Sequence, residues 1–267
     1  MSSRARPNGL IDLAAALLLL GYALLAWGAE GGARGAALDP VLADARARGT
    51  LRVAVDVGFR PFADLNAAGA VEGYDIDLSR ALAARMGLTA EFVPTGYDAL
   101  YDALTSGRAD VIASALPYAP EQGFRARFSA VYFDAGQVLV APAGSPVAAA
   151  ADLRGRVVGV ALGSDADALA RRMAPGGFTL RSGYDEPAAA FADLRAGRLD
   201  AVITDGVAAL TAVQEAPGLR IVQALSFEPL VLGLPRPAFQ LEAEINRALD
   251  ELRREGFFEQ LNQRWMR

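Results

Sequence analysis

One hydrophobic pattern occurs twice along the chain. Leu104-Thr105-Ser106-Gly107-Arg108-Ala109-Asp110-Val111-Ile112-Ala113-Ser114 runs from a helix end through a glycine stop and an Arg-x-Asp turn into an apolar strand. Leu194-Arg195-Ala196-Gly197-Arg198-Leu199-Asp200-Ala201-Val202-Ile203-Thr204 repeats it. Gly107 and Gly197 stand where a helix ends in the left-handed conformation. Tyr97-Asp98 and Tyr184-Asp185 precede the two copies, and β-rich runs, Thr50 to Asp56 and Arg156 to Leu162, lie further upstream. Alternating apolar strands and amphipathic helices predict two β-α-β-α-β units with parallel sheets and crossovers. Ile76 to Met86 has helical spacing, with Ile76, Leu78, Ala81, Leu82 and Met86 expected inside. Tyr132 to Ala141 and Pro229 to Leu234 read as strand-like crossings between units. Phe239 to Trp265 reads as two helices broken at Gly256, with Leu241, Ile245, Leu249 and Leu252 on one face. The expected fold class is α/β, two Rossmann-like lobes with a hinge of two crossing strands. Residues 49–137 and 226–267 are assigned to lobe 1 and residues 138–225 to lobe 2.

The N-terminus follows a different pattern. Arg4 and Arg6 precede an apolar stretch from Leu13 to Trp27. A basic flank before such a stretch has the form of a secretory signal, and Ala26 and Gly28 are small enough for cleavage after Gly28. Leu10 to Ala29 is also 20 residues long, enough for an uncleaved membrane anchor. Residues 1–28 are therefore expected to be a signal peptide or anchor helix, and residues 29–48 a linker and lead-in, with the folded body starting near Asp39.

Composition narrows the chemistry. The 267 residues hold 26 basic and 31 acidic side chains, net charge −5, and neither His nor Cys; every basic residue is Arg. Ser-His and Cys-His nucleophiles, His/Cys zinc sites, Schiff-base lysines and Lys-containing phosphate loops are all ruled out. An acidic chain with scattered Arg does not suit nucleic acid. No cofactor or metal is indicated. In open α/β sheets ligands bind beyond the carboxyl ends of the strands. Those ends are Asp56 to Phe59, Ser114 to Pro117, Ala161 to Asp165 and Thr204-Asp205.

Seven stretches, in order, resemble the extracellular solute-binding proteins of the polar amino acid class, the periplasmic receptors of ABC importers. They are Gly49 to Asp56, Phe59-Arg60-Pro61-Phe62, Glu72 to Leu78, Gly107 to Ile112, Tyr132 to Gln137, Asp152 to Gly155 and Gly197 to Val202. The resemblance implies a type II periplasmic-binding fold, closing on a small polar ligand by hinge motion. It also implies a monomer, an ABC permease as partner and a periplasmic or extracytoplasmic location. Carried over by position, Asp56 and Phe59 match first-strand ligand contacts, Tyr97 a stacking aromatic, Ser114 a polar contact and Asp205 the carboxylate that receives an amino group. Ala115, Pro117 and Ala161 belong to the same strand-end segments. Asp56 could instead cap a turn, Tyr97 pack within its lobe, Ser114 satisfy backbone, and Asp205 cap a helix.

Two positions depart from the family pattern. Where α-amino-acid binders usually place an Arg that clamps the ligand carboxylate, this chain has Pro120-Glu121-Gln122. At the start of a second-lobe helix, Gly163-Ser164-Asp165-Ala166-Asp167 places Asp165 where a ligand carboxylate would be repelled, while Ser164 and Asp167 have capping-box spacing. Asp56, Asp165 and Asp205 with Phe59, Tyr97 and Tyr118 suit an amine or other cation. An ordinary amino acid, held by Arg60 or Arg125 instead, is the competing expectation. The functional reading is an importer receptor rather than an enzyme. The alternatives are a membrane-anchored sensing module and a dehydratase-like enzyme on the same fold.

Overall fold

The computed structural model describes residues 39–266. Residues 1–38, including the expected signal or anchor segment, lie outside the described residues. Among those described, no helix is long and apolar enough to cross a membrane. Residues 40–48, expected as lead-in, form helix α1 (Pro40–Arg48). Asp39 caps it by accepting the Leu42 N–H at 2.8 Å, and Leu42 and Ala45 are buried. A helix forms here because a proline at its start, a carboxylate cap and Gly49 at its end all agree.

The first lobe continues with β1 (Thr50–Val55), a small hairpin of β2 (Asp64–Leu65) and β3 (Val71–Glu72), helix α2 (Tyr74–Arg85) and β4 (Thr89–Pro94). Helix α3 (Leu100–Thr105), β5 (Val111–Ile112) and β6 (Ala126–Phe128) follow. β7 (Phe133–Asp134) is the first crossing, and it leads into β8 (Gln137–Pro142) of the second lobe. That lobe holds β9 (Val157–Ala161), α4 (Asp165–Met173), β10 (Thr179–Tyr184), α5 (Pro187–Arg195), β11 (Ala201–Asp205), α6 (Gly206–Glu215) and β12 (Leu219–Ala224). The chain returns through β13 (Pro229–Leu230) and β14 (Gly233–Pro235), and ends in α7 (Phe239–Arg254) and α8 (Phe257–Trp265).

The two five-stranded sheets share one plan: β4-β1-β5-β14-β6 and β10-β9-β11-β8-β12. The first three strands of each are parallel, but β14 and β8 run antiparallel to both neighbours. The sheets are thus mixed, not purely parallel. The reversed strand in each is the one that arrives from the opposite lobe. A chain passing straight through the hinge enters the next sheet pointing away from the cleft, whereas strands reached by helical crossovers point toward it. The two strand-like runs are also interrupted, at Ala135-Gly136 and at Val231-Leu232.

Each sheet is covered on both faces. Val53 and Val55 pack with α2 and α7, while Ala54 and Ile112 face Leu100 and Leu104. In the second lobe Leu139, Val158 and Ile203 pack on α4, and Val140 and Val202 on α5 and α6. Burial on both faces explains why these strands read as unbroken apolar runs. In α2, Ile76, Leu78 and Leu82 are buried, but Ala81 and Met86 are only half-buried, and Ala83 takes an inward place. Leu241, Ile245, Leu249 and Leu252 are all buried.

The repeated Arg-x-Asp turns do the same task twice. Asp110 Oδ2 accepts the Arg52 N–H at 2.9 Å and Asp200 Oδ2 accepts the Val157 N–H at 2.8 Å, so each aspartate grips the central parallel strand of its sheet, β1 or β9. Gly107 and Gly197, at φ 69° and 72°, make the preceding turns.

The lobes also touch along α6. Val207 and Leu210 of α6 pack against the apolar core of the first lobe, and Gln214 Nε2 donates to the Asn262 carbonyl of α8 at 2.7 Å.

Candidate functional site

A cavity of about 510 Å³ lies where both sheets point their strand ends at the hinge. Phe59 and Phe62, from the loop after β1, and Ala115, Pro117 and Tyr118, from the loop after β5, form one wall. Asp165, Asp205 and Val207 form the facing wall. Phe227, Glu228, Ala135 and Gln137 belong to the crossings at its floor.

Local structure explains these positions. Asp165 is the first residue of α4, whose cap is Ser164: its Oγ accepts the Asp167 N–H at 3.1 Å. The reciprocal carboxylate bond goes to the Gly163 N–H at 3.1 Å rather than to Ser164, so the expected capping box is shifted by one residue. Asp205 caps α6, its Oδ1 accepting the Ala208 N–H at 2.9 Å, while Oδ2 has a long contact of 3.4 Å with Thr204 Oγ1. Gly206 brings this helix end against the hinge, where an added Cβ would meet the Asp134 carbonyl oxygen at 2.8 Å. Asp134 Oδ1 accepts the N–H groups of Gly136 and Glu228, both at 2.9 Å, and so ties the two crossings together beneath the cavity.

Three carboxylates therefore border one cavity: Asp165, Asp205 and Glu228. No Arg is among its lining residues, and among the described residues no three acidic groups are clustered as metal ligands. Around it stand three large rings that folding has left in water: Phe59 at 55% exposure, Tyr118 at 50% and Phe227 at 65%. Phe59 stacks on Phe62 at 5.9 Å between centroids, and Tyr118 meets Phe128 edge-on at 5.3 Å, so two of the rings are braced from behind. Negative charge framed by aromatic faces attracts organic cations through ion pairing and the ring quadrupole.

Of the residues singled out in the sequence, Phe59, Ala115, Pro117, Asp165 and Asp205 line this cavity. Asp56, Tyr97, Ser114, Gln122 and Ala161 lie outside its lining. Ser114 Oγ accepts the Asp56 N–H at 3.0 Å and so satisfies backbone. Tyr97 is half-exposed in a short turn; partial burial, then the charges of Asp56 and Asp98, push its phenol up. The Ala161 carbonyl accepts Ser164 Oγ at 2.8 Å. Gln122 sits in a single 3-10 turn with its Oε1 buried and unbonded. Arg60 is paired with Asp64, and Arg125 is paired with Asp102 and lies over Tyr101 at 5.3 Å. Neither lines the cavity. Phe227 and Glu228 were not foreseen, because the second crossing carries only an apolar strand signal.

The family model of bacterial extracellular solute-binding proteins, family 3, matches residues 51–267. The L-cystine-binding protein TcyJ of Escherichia coli strain K12 is 28% identical over 262 residues, 97% of this chain and 94% of the relative. The lysine/arginine/ornithine-binding periplasmic protein of the same organism is 32% identical over 232 residues, 81% of this chain and 87% of the relative. The crystal structure of an ancestral cyclohexadienyl dehydratase is similar with a TM-score of 0.72 at 27% identity, over 84% of this chain and 95% of that one. The family match spans both lobes and the hinge, and this two-lobed chain belongs to the bacterial extracellular solute-binding proteins of family 3.

Proposed function

We propose that the chain is the extracytoplasmic receptor of an ABC importer and that its ligand is a small organic cation, an amine or quaternary ammonium compound, whose binding needs no α-carboxylate. The observation that carries this reading is the cavity's lining, with three carboxylates, three exposed rings and no basic side chain. The named specificity of one relative, for lysine, arginine and ornithine, is in keeping with a cationic ligand. The competing reading, an α-amino acid clamped by Arg60 or Arg125, would first have to break the ion pairs with Asp64 and Asp102. No observation favours catalysis, although a dehydratase is among the similar folds.

Thermal unfolding of the chain with arginine, putrescine, choline and the uncharged amino acids tests the reading. A ligand at a hundred times its dissociation constant stabilises by about 2.7 kcal/mol, a readily visible shift. The cations are expected to raise the melting temperature and the uncharged amino acids to leave it unchanged. Asp205→Asn is expected to weaken cation binding by about tenfold or more, the worth of a charged hydrogen bond of roughly 1.5–3 kcal/mol. Asparagine caps helices as well as aspartate does, so the variant keeps α6. Equal stabilisation by uncharged amino acids, or unaltered affinity in Asp205→Asn, would sink the proposal.

A further inference from the structure

Asp75 is the second residue of α2 and its side chain is wholly buried. Its Oδ2 accepts the Ala115 N–H at 2.6 Å. Ala115 lines the cavity and, at φ 43°, is the one described residue other than glycine with a positive φ. A residue with a Cβ resists that conformation, so the Asp75 bond is well placed to hold it there. The Asp75 N–H in turn donates to the Phe62 carbonyl at 3.0 Å, and the Tyr74 N–H to the Pro61 carbonyl at 2.9 Å. Phe62 and Ala115 come from different loops of the same wall, and one helix start fixes both.

The second carboxyl oxygen is the unusual one. Asp75 Oδ1 is buried without a hydrogen bond, and the buried Tyr132 hydroxyl faces the carboxyl without completing a bond of regular geometry. The titratable groups facing Asp75 are Tyr74, beside it on α2, and Tyr132, ahead of the first crossing; burial pushes both phenols up. Glu259 of α8 acts on Tyr74. Burial pushes the Asp75 carboxyl up to about 7, against the opposing pull of the Ala115 N–H and the Tyr132 hydroxyl. Because the chain has neither His nor Cys, the α-amino group is the only group whose ordinary range lies near neutrality.

We propose that Asp75 is a positioning residue of the ligand cavity, holding the Phe62 and Ala115 loops in register, and that its ionisation is coupled to occupancy of the cavity by a cation. The coupling rests on the cationic ligand proposed above; the positioning role does not. A cation against Ala115 lies one residue from the carboxyl, in surroundings that screen charge poorly. Linkage is reciprocal: the cation favours the carboxylate by as much as the carboxylate favours the cation. Binding near neutral pH therefore transfers a proton from the Asp75 carboxyl to bulk water, and affinity rises as the pH rises through 7.

The test is calorimetric titration of arginine, putrescine and choline into wild type and Asp75→Asn, at pH 6 and pH 8, in two buffers of different protonation enthalpy. Wild type is expected to bind about fivefold or more tightly at pH 8, the low end of ordinary coupling between two sites, and to release a proton near pH 7. Asp75→Asn keeps an acceptor for the Ala115 N–H and is expected to bind equally at both pH values, at the wild-type pH 6 affinity. A flat wild-type profile, or the same slope in the variant, overturns the coupling and leaves the cationic ligand standing. Failure of all three cations to bind overturns the coupling together with that ligand class.

The positioning role is read without ligand. The Ala115 amide resonance is expected to move with a midpoint near pH 7 in wild type and to stay fixed in Asp75→Asn. In Asp75→Leu its hydrogen exchange is expected to quicken by about tenfold, the worth of the lost bond. An amide indifferent to pH overturns the role even if the leucine variant fails to fold, and unchanged exchange in a folded leucine variant overturns it as well.

Discussion

Between pH 4 and pH 7 the unfolding free energy of wild type is expected to fall by about 3 kcal/mol relative to that of Asp75→Asn. The cause is the Asp75 carboxyl, ordinarily near 3.8 and raised to about 7 by burial. In this window the folded chain keeps a proton that the unfolded chain has released, so each pH unit costs about 1.4 kcal/mol of stability. The contribution is fully present below the unfolded value and lost as the pH rises through the folded one. Asparagine stays neutral throughout and removes the slope. The exposed Asp64, Asp193 and Glu255, paired with Arg60, Arg198 and Arg85, are held below their ordinary values. Their stabilisation begins to be lost only at the acid end of this window, as the pH falls through the ordinary carboxylate values, and it cancels between the two proteins. Urea unfolding of both proteins at several pH values measures the difference directly. A difference that stays constant from pH 4 to pH 7 would mean that Asp75 is ionised throughout.

Gly73→Ala is expected to destabilise the chain by about 3 kcal/mol, combining overpacking with backbone strain. Gly73 has φ 140° and ψ 174°, a region open essentially to glycine alone. A Cβ there would fall 2.1 Å from the Phe62 carbonyl oxygen and 2.9 Å from the Ala63 Cα. Both obstacles are backbone, so no side chain can swing aside. The loop would have to retreat, and with it the bonds from Tyr74 to Pro61 and from Asp75 to Phe62. Gly69→Ala is the control: its φ is also positive, 76°, but open space surrounds the added carbon. Denaturant melts that shift Gly73→Ala no further than Gly69→Ala would show that the loop yields freely.

The two-lobed plan was legible because Gly107-Arg108-Ala109-Asp110 and Gly197-Arg198-Leu199-Asp200 repeat a local device, a turn whose aspartate grips a neighbouring parallel strand. Strand direction was not legible, since the reversal of β8 and β14 follows from the hinge they pass through rather than from their own residues. The strand ends carrying Phe59, Ala115, Asp165 and Asp205 could be read in advance, because the carboxyl ends of parallel strands are fixed by topology. Glu228 could not, because Asp134, nearly a hundred positions earlier in the sequence, accepts its N–H at the cavity floor. Asp75 lies in the Glu72 to Leu78 stretch that carries part of the family resemblance, yet next to Asp77 it looks like an ordinary acidic residue in a first turn. Its burial depends on loops 40 residues away, as the bond to Ala115 shows.

Helix α6 begins at the cavity with Asp205 and ends at the first lobe's last helix, where Gln214 meets Asn262. A binding protein's apparent affinity is its intrinsic affinity multiplied by the fraction of molecules already in the binding arrangement. The contact at Gln214 joins the two lobes and touches no part of the cavity, so a substitution there can change that fraction without changing the lining. Strength of capture and choice of ligand can therefore drift separately in evolution, the first through residues on the back of α6 and the second through those at its tip.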